Sequence, residues 1–210
     1  MKSLRKPFIL ALALILADQA LKIAIKTQFA LGDSIEILPW FHLHFTENPG
    51  MAFGLSWGGA TGKIFLSLFR IAAIGGLLWY AIRLAKGGAH PFVLTTIALI
   101  FAGALGNVID SLLYGLLFDR GLVWSPEYEF WMAYEGVAQW GKGYSGPLLG
   151  NVVDMLYFPL WTGYLPNWLP FWGGDYFQFF RPIFNLADAY VSIGVVFWYF
   201  ASRRPEWWPA

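Results

Sequence analysis

Apolar residues are gathered into four long runs, at 7–26, 63–85, 91–113 and 183–200, separated by stretches rich in Gly, Pro and polar residues. Each run has roughly the 20 residues that a helix needs to cross the hydrocarbon core of a bilayer. The pattern predicts an α-helical integral membrane protein with four transmembrane helices in one membrane-embedded domain spanning 1–210. The first run could be read as a cleavable signal peptide. It is long, however, carries Asp18 and Lys22, and is followed by no small-x-small cleavage pattern, so it is expected to be a span.

The two long connections, 27–62 and 114–182, carry a different pattern. From Trp40 to Thr46 apolar and polar residues alternate with the period of a strand, and Glu47-Asn48-Pro49-Gly50 is a turn-forming cluster that returns the chain to the membrane. No window of 114–182 is long and apolar enough to span. Within it, 150–158 is β-prone and sets Asp154 among apolar neighbours. The part at 116–148 is expected to be loop and amphipathic helix, lying on the headgroups or forming the core of a small soluble lobe.

Lysine and arginine orient the chain. Lys2, Arg5, Lys6, Arg83, Lys86, Arg203 and Arg204 fall on one side of a four-span topology, which the positive-inside rule makes cytoplasmic. Both termini are then inside and both long connections outside. Asp18 and Lys22 come late in an outward helix, as do Asn107 and Asp110, whereas Asn185 and Asp188 come early in an inward one. All reach the outer-leaflet level, where Asn48 and Asp154 join them from the loops. Intramembrane charge is costly, and polar groups that served only helix packing would have no reason to share one depth, so this convergence marks a candidate site.

Bland readings compete at several positions. Asp18 and Lys22, four apart, can form a salt bridge that only lowers the cost of burying both. Gly103 and its small neighbours are expected to let helices approach closely. Asn185, Asp188 and Ser192 share a helical face. Arg70, two turns into the second span, is expected to snorkel or to pair with a carboxylate. His42 and His44 share one side of their strand, but no third ligand is near, so no metal is expected.

Composition narrows the chemistry. The chain is 58% hydrophobic and 13% charged, which excludes an ordinary soluble domain. Its net charge of +1 leaves no basic footprint for nucleic acid. With no cysteine, disulfides, thiolate metal sites and a cysteine nucleophile are excluded together. Carboxylate is what the site has in plenty. Two aspartates brought together cannot both ionise cheaply, so one can activate water while the other protonates a leaving amine. Amide hydrolysis at the membrane surface fits. The residue pattern leaves open which of Asp18, Asp110, Asp154 and Asp188 form the pair, with Ser111 and Ser192 as alternative nucleophiles.

Five motifs in order carry a family resemblance: Asp18-Gln19-x-x-Lys22; Asn48-x-Gly50-x-Ala52-Phe53; Gly103-Ala104-Leu105-Gly106-Asn107-x-x-Asp110; Val152-Val153-Asp154; and Phe184-Asn185-x-Ala187-Asp188. Together they resemble the bacterial lipoprotein signal peptidases (signal peptidase II). The resemblance implies an aspartyl endopeptidase of the bacterial inner membrane, with four spans, a small extracytoplasmic β-sheet cradling the substrate, and a periplasmic loop and helix closing over it. Its substrate would be a diacylglyceryl-modified prolipoprotein, cut before the lipidated Cys. The dyad falls on Asp154 and Asp188, with Asp18, Lys22, Asn48, Gly50, Ala52, Asn107, Asp110 and Asn185 lining or supporting the site. Expected partners are prolipoprotein signal peptides, membrane lipids and the inhibitor globomycin, with no cofactor, metal or nucleic acid, and the chain is expected to act as a monomer.

The sequence departs from the family pattern twice. Ser111 stands where the family usually has Arg, leaving Arg70 and Arg181 as candidates for that pairing. An insertion over about 116–148 places 43 residues between Asp110 and Asp154. A transporter or a non-catalytic assembly protein could also gather such polar residues, but neither inverted repeats nor midplane helix breaks are visible.

Overall fold

The structure is a computed structural model that describes residues 2–50 and 59–209. Helix α1 spans Lys2–Gln28, α2 Gly59–Lys86, α3 Pro91–Ile109, α4 the single turn Gly115–Leu117, and α5 Leu186–Ser202. Three stretches are long and apolar enough to cross a membrane, Leu4–Gln28, Gly59–Lys86 and Pro91–Leu117. The fourth apolar helix, α5, is shorter at 17 residues. It starts later than the apolar run because Ile183 and Phe184 are taken into a strand, and Asn185 then caps the helix with a reciprocal Asn185–Asp188 capping box. Asn185 is therefore extended backbone at the helix entrance and not part of its face.

Helix α3 is the centre of the bundle and packs on α1, α2 and α5. Its glycines make this possible. A Cβ at Gly103 would stand 2.2 Å from the Ala187 carbonyl oxygen, and one at Gly106 would stand 2.8 Å from an Asp18 carboxylate oxygen. The expected role of the small residues in close helix approach is therefore what is found. At the opposite end, His90 caps α3 through Nδ1, which accepts from the Phe92 amide at 3.2 Å, and Pro91 takes the first helical position. Trp207 stacks on His90 and closes that end.

Beyond the other end sits a four-stranded antiparallel sheet of β1 (Ser34–Leu38), β2 (Phe41–Asn48), β5 (Val152–Tyr157) and β8 (Ile183–Phe184), in the order β1-β2-β5-β8. Strand β5 is central and buried along nearly its whole length. Phe45, Val153 and Met155 join Ile25 of α1 and Tyr114 and Phe118 below the sheet in one apolar cluster. Fully burying each large side chain contributes roughly 1.5–3 kcal/mol. This cluster clamps the sheet onto the bundle.

The long connection differs from expectation. In place of an amphipathic helix, the insertion carries a short hairpin, β3 (Val123–Ser125) and β4 (Phe130–Met132). A second hairpin, β6 (Trp161–Tyr164) and β7 (Tyr176–Phe179), follows β5. Aromatic and β-branched residues with turns every few positions favour pleated ribbon over helix here. His42 and His44 lie against the ring of Tyr157, and no group of three metal-ligating side chains occurs among the described residues.

Candidate active site

Where the sheet meets the bundle, polar side chains from α1, α3, β5 and α5 converge in an otherwise apolar interior. Lys22 of α1 is fully buried, and its ammonium makes three contacts: Asp18 at 2.9 Å, Asp110 at 2.9 Å and the Asn107 side-chain oxygen at 2.8 Å. Three donors thus meet three acceptors, the condition under which a buried ammonium is tolerable. The expected Asp18–Lys22 pair is present but is only part of this arrangement. Ser111, next to Asp110, does not reach this arrangement and donates instead to the Asn107 carbonyl at 3.2 Å. Arg181 is exposed and, among the described residues, makes no ion pair.

Each supporting carboxylate also holds backbone. Asp18 accepts from the amide of Ala187 at 3.0 Å, fixing the first turn of α5 to α1. Asp110 accepts from the amide of Val153 at 3.2 Å, fixing the residue before Asp154. Asp110 opens a π-helical turn, Asp110–Tyr114, an irregularity common at functional sites. The loop leading to β5 lies directly on this turn. A Cβ at Gly150 would come within 2.1 Å of the Asp110 carbonyl oxygen, so that position needs glycine.

Asn185 links the two aspartates nearest the opening. Its side-chain amide donates to Asp154 at 2.6 Å, while its side-chain oxygen accepts from the Asp188 amide at 3.0 Å. Asp188 in turn accepts from the Asn107 side-chain amide at 2.8 Å and from the Asn185 backbone amide at 3.3 Å. Asp154 is buried on β5, whereas Asp188 is half-exposed at the head of α5. Burial, reinforced by the neighbouring Asp188 carboxylate, pushes the Asp154 carboxyl up to about 8. Asp154 is therefore suited to hold a proton at neutral pH, while two donors fix the Asp188 carboxyl in place.

A groove of about 410 Å³ between α2, α3 and α5 reaches this point, lined by Phe69, Arg70, Ala73, Leu77, Ile100, Ala104, Asn107 and Val191. Arg70 lines the groove and lies within electrostatic range of Asp188 and Asp154, but among the described residues it forms no ion pair, so the expected pairing with a carboxylate is not found. Asn48 ends β2 opposite Val152, and its side chain accepts from the Gly50 amide at 2.9 Å. Gly50 has φ of +99°, a conformation that favours glycine. Ala52 lies outside the described residues.

Sequence reasoning passed over two participants. Gln19 donates to Asp110 at 2.9 Å and to the Gly106 carbonyl at 3.1 Å, and accepts from the Tyr114 hydroxyl at 3.1 Å. It also passed over a second buried cluster. There Glu47 pairs with Lys26 and accepts from the Leu122 amide, the Tyr134 hydroxyl and the Asn151 side chain, each at 2.9 Å, while Lys63 donates to Asn151. Gln19 stood inside the first motif without a role, and polar residues at 18, 22 and 26, four apart on an apolar helix, were the available signal for the second cluster.

The fold and its carboxylate-rich chamber at the edge of the spans define a polytopic membrane protein with a site at the sheet–bundle border. A solved bacterial membrane enzyme has the same fold, with a TM-score of 0.60 and 25% identity over 95% of this chain and 93% of that one. Residues 10–203 match the family model for signal peptidase (SPase) II, and the chain belongs to that family of membrane proteases. A lipoprotein signal peptidase of Porphyromonas gingivalis is 44% identical over 89% of this chain and 78% of its own length. One from Amoebophilus asiaticus is 35% identical over 92% and 76%.

Proposed function

We propose that this protein is an aspartic endopeptidase that removes the signal peptide from diacylglyceryl-modified prolipoproteins, cutting before the lipidated Cys, with Asp154 and Asp188 as its catalytic pair. The observation that carries the reading is Asn185, which holds one buried and one half-exposed carboxyl in a single hydrogen-bonded unit beside an apolar groove. The groove suits the apolar segment of a signal peptide.

In this mechanism Asp188 takes a proton from water as the water oxygen attacks the scissile carbonyl carbon, and Asp154 gives its proton to the developing oxyanion. As the carbonyl re-forms and the C–N bond breaks, Asp154 takes its proton back and the leaving amine receives the one held by Asp188. Asn107 and Asn185 hold the Asp188 carboxyl in place by hydrogen bonds. Asp18, Lys22 and Asp110 position α5 and β5, and Asn48 and Gly50 shape the turn beside them. The reading takes the chain to act as a monomer and a single domain. The Lys and Arg distribution supports cytoplasmic termini and a site on the periplasmic side of the inner membrane, where lipids border the groove and globomycin would compete with substrate.

A cleavage assay on a diacylglyceryl-modified prolipoprotein in bilayers tests the proposal, with Asp154→Asn, Asp188→Asn and globomycin as arms. Loss of cleavage in both folded variants, with inhibition of the native protein, is expected. Full rate in either variant moves the pair to Asp110 or Asp18. A folded native protein that never cuts returns the reading to a transporter or an assembly protein.

A further inference from the structure

The β6–β7 hairpin is built unlike the rest of the extramembrane part. From Phe158 to Phe180 it contains one charged residue, the exposed Asp175 where the loop meets β7, and none at the tip. Tyr164 is 74% exposed, Trp168 78%, Trp172 62% and Phe171 95%. Tyr176 and Phe177 are adjacent on β7 and both exposed, so both faces of the ribbon are apolar. The loop carrying Phe171 is nevertheless well formed: Leu165 donates to Asp175, Gly174 to Leu165 and Gly173 to Leu169, each near 3.0 Å. Phe171 itself sits at φ +70°, a strained conformation for a large side chain. The fold holds a naked aromatic apex in place at a cost.

We propose that this hairpin is a membrane anchor whose tip, centred on Phe171, enters the interface of the leaflet on the side of the long loops. Lipid is favoured as the occupant because apolar surface surrounds the ribbon, whereas a protein interface is one patch with a polar rim. Trp and Tyr are the residues that settle at the headgroup level, and the loop's paired amides suit a medium poor in water. The hairpin is also rooted at the membrane entrance. Phe158 stacks on Phe184, Phe180 packs on Phe184, and two residues later the chain enters α5. The β3–β4 hairpin is the internal contrast, since its turn carries Glu127 and Glu129 and would stay in water.

The absence of cysteine permits a clean test. Phe171→Cys, Glu127→Cys and Phe65→Cys each give one site for a nitroxide label, Phe65 being exposed on α2. The full chain is reconstituted in phosphatidylethanolamine–phosphatidylglycerol vesicles, and relaxation by oxygen is compared with relaxation by a water-soluble nickel chelate. The Phe171 label is expected to favour oxygen, as at Phe65, while the Glu127 label favours nickel. A Phe171 label as open to nickel as that at Glu127 overturns the anchor. So does one shielded from both reagents, which would mean contact with protein. The readout does not involve cleavage, so it stands or falls apart from the peptidase reading.

Discussion

Two buried polar clusters lie one helical turn apart along α1, and they differ in what their charges leave over. The upper cluster joins Lys26 and Lys63 to Glu47, whose carboxylate receives the Lys26 ammonium, a backbone amide, a tyrosine hydroxyl and an asparagine amide. Its single acid is fully satisfied and closed off beneath the insertion. The lower cluster sets Asp18, Asp110, Asp154 and Asp188 against Lys22, with Arg70 at longer range. Acid is in excess there, one carboxyl is half-exposed, and a groove leads to it. A satisfied, sealed network is a brace. An open one with acid in excess has a proton and a charge to use.

The sharpest way to break this contrast is to remove the acids of the lower cluster. Asp154→Asn and Asp188→Asn are each expected to lower cleavage by at least about 10³-fold. Their thermal melting should stay close to that of the native protein, and a variant keeping a tenth of the rate would sink the assignment. Glu47→Leu should do the reverse, because it leaves Lys26 buried without its carboxylate. A stability loss of about 3–5 kcal/mol is expected in detergent unfolding, with the rate per folded molecule far less affected. An unchanged melting curve would deny the upper cluster its role as a brace.

Proton occupancy sharpens the comparison further. Activity should fall about tenfold per pH unit above about 8, as Asp154 loses the proton it must donate. The sign for stability follows from the same shift. A carboxyl whose folded value is raised binds a proton that the unfolded chain has released, so native stability declines as pH rises toward about 8. Asp154→Asn removes that decline, and its melting temperature should overtake that of the native protein in alkaline buffer. Parallel curves for the two would refute the raised value. The smallest effect is expected at Ser111→Ala, which deletes a 3.2 Å bond to the Asn107 carbonyl and should cost about 1 kcal/mol or less with cleavage retained. A large loss of rate there would show that Ser111 does more than fill the site of the missing arginine.

Much of the site was legible because charge is rare in apolar sequence. In a run such as 7–26, Asp18 and Lys22 stand out by composition alone, and the Lys and Arg bias places them at the depth of Asn107, Asp110, Asn185 and Asp188. The strand at Trp40–Thr46 was equally visible from its alternation. The strand within the last apolar run was not. Ile183 and Phe184 are apolar enough for a span, and only pairing with Leu156 and Tyr157 makes them β8. The insertion was misread for a related reason. Its aromatics suggested an amphipathic face, but Glu47 of a distant strand and Lys26 of α1 hold its ends and select a hairpin.

The sequence by itself determined the membrane class, the helical spans, the common depth of the polar residues and, through five ordered motifs, the family. These rest on local hydrophobicity and short spacing, which a chain carries without folding. The tertiary structure decided which carboxyl each donor reaches. Lys22 is four residues from Asp18, yet it also holds Asp110 across the bundle, and Asn185 meets Asp154 only because β5 and α5 arrive side by side. Burial and partner geometry tune acidity, and they exist only once distant segments have packed.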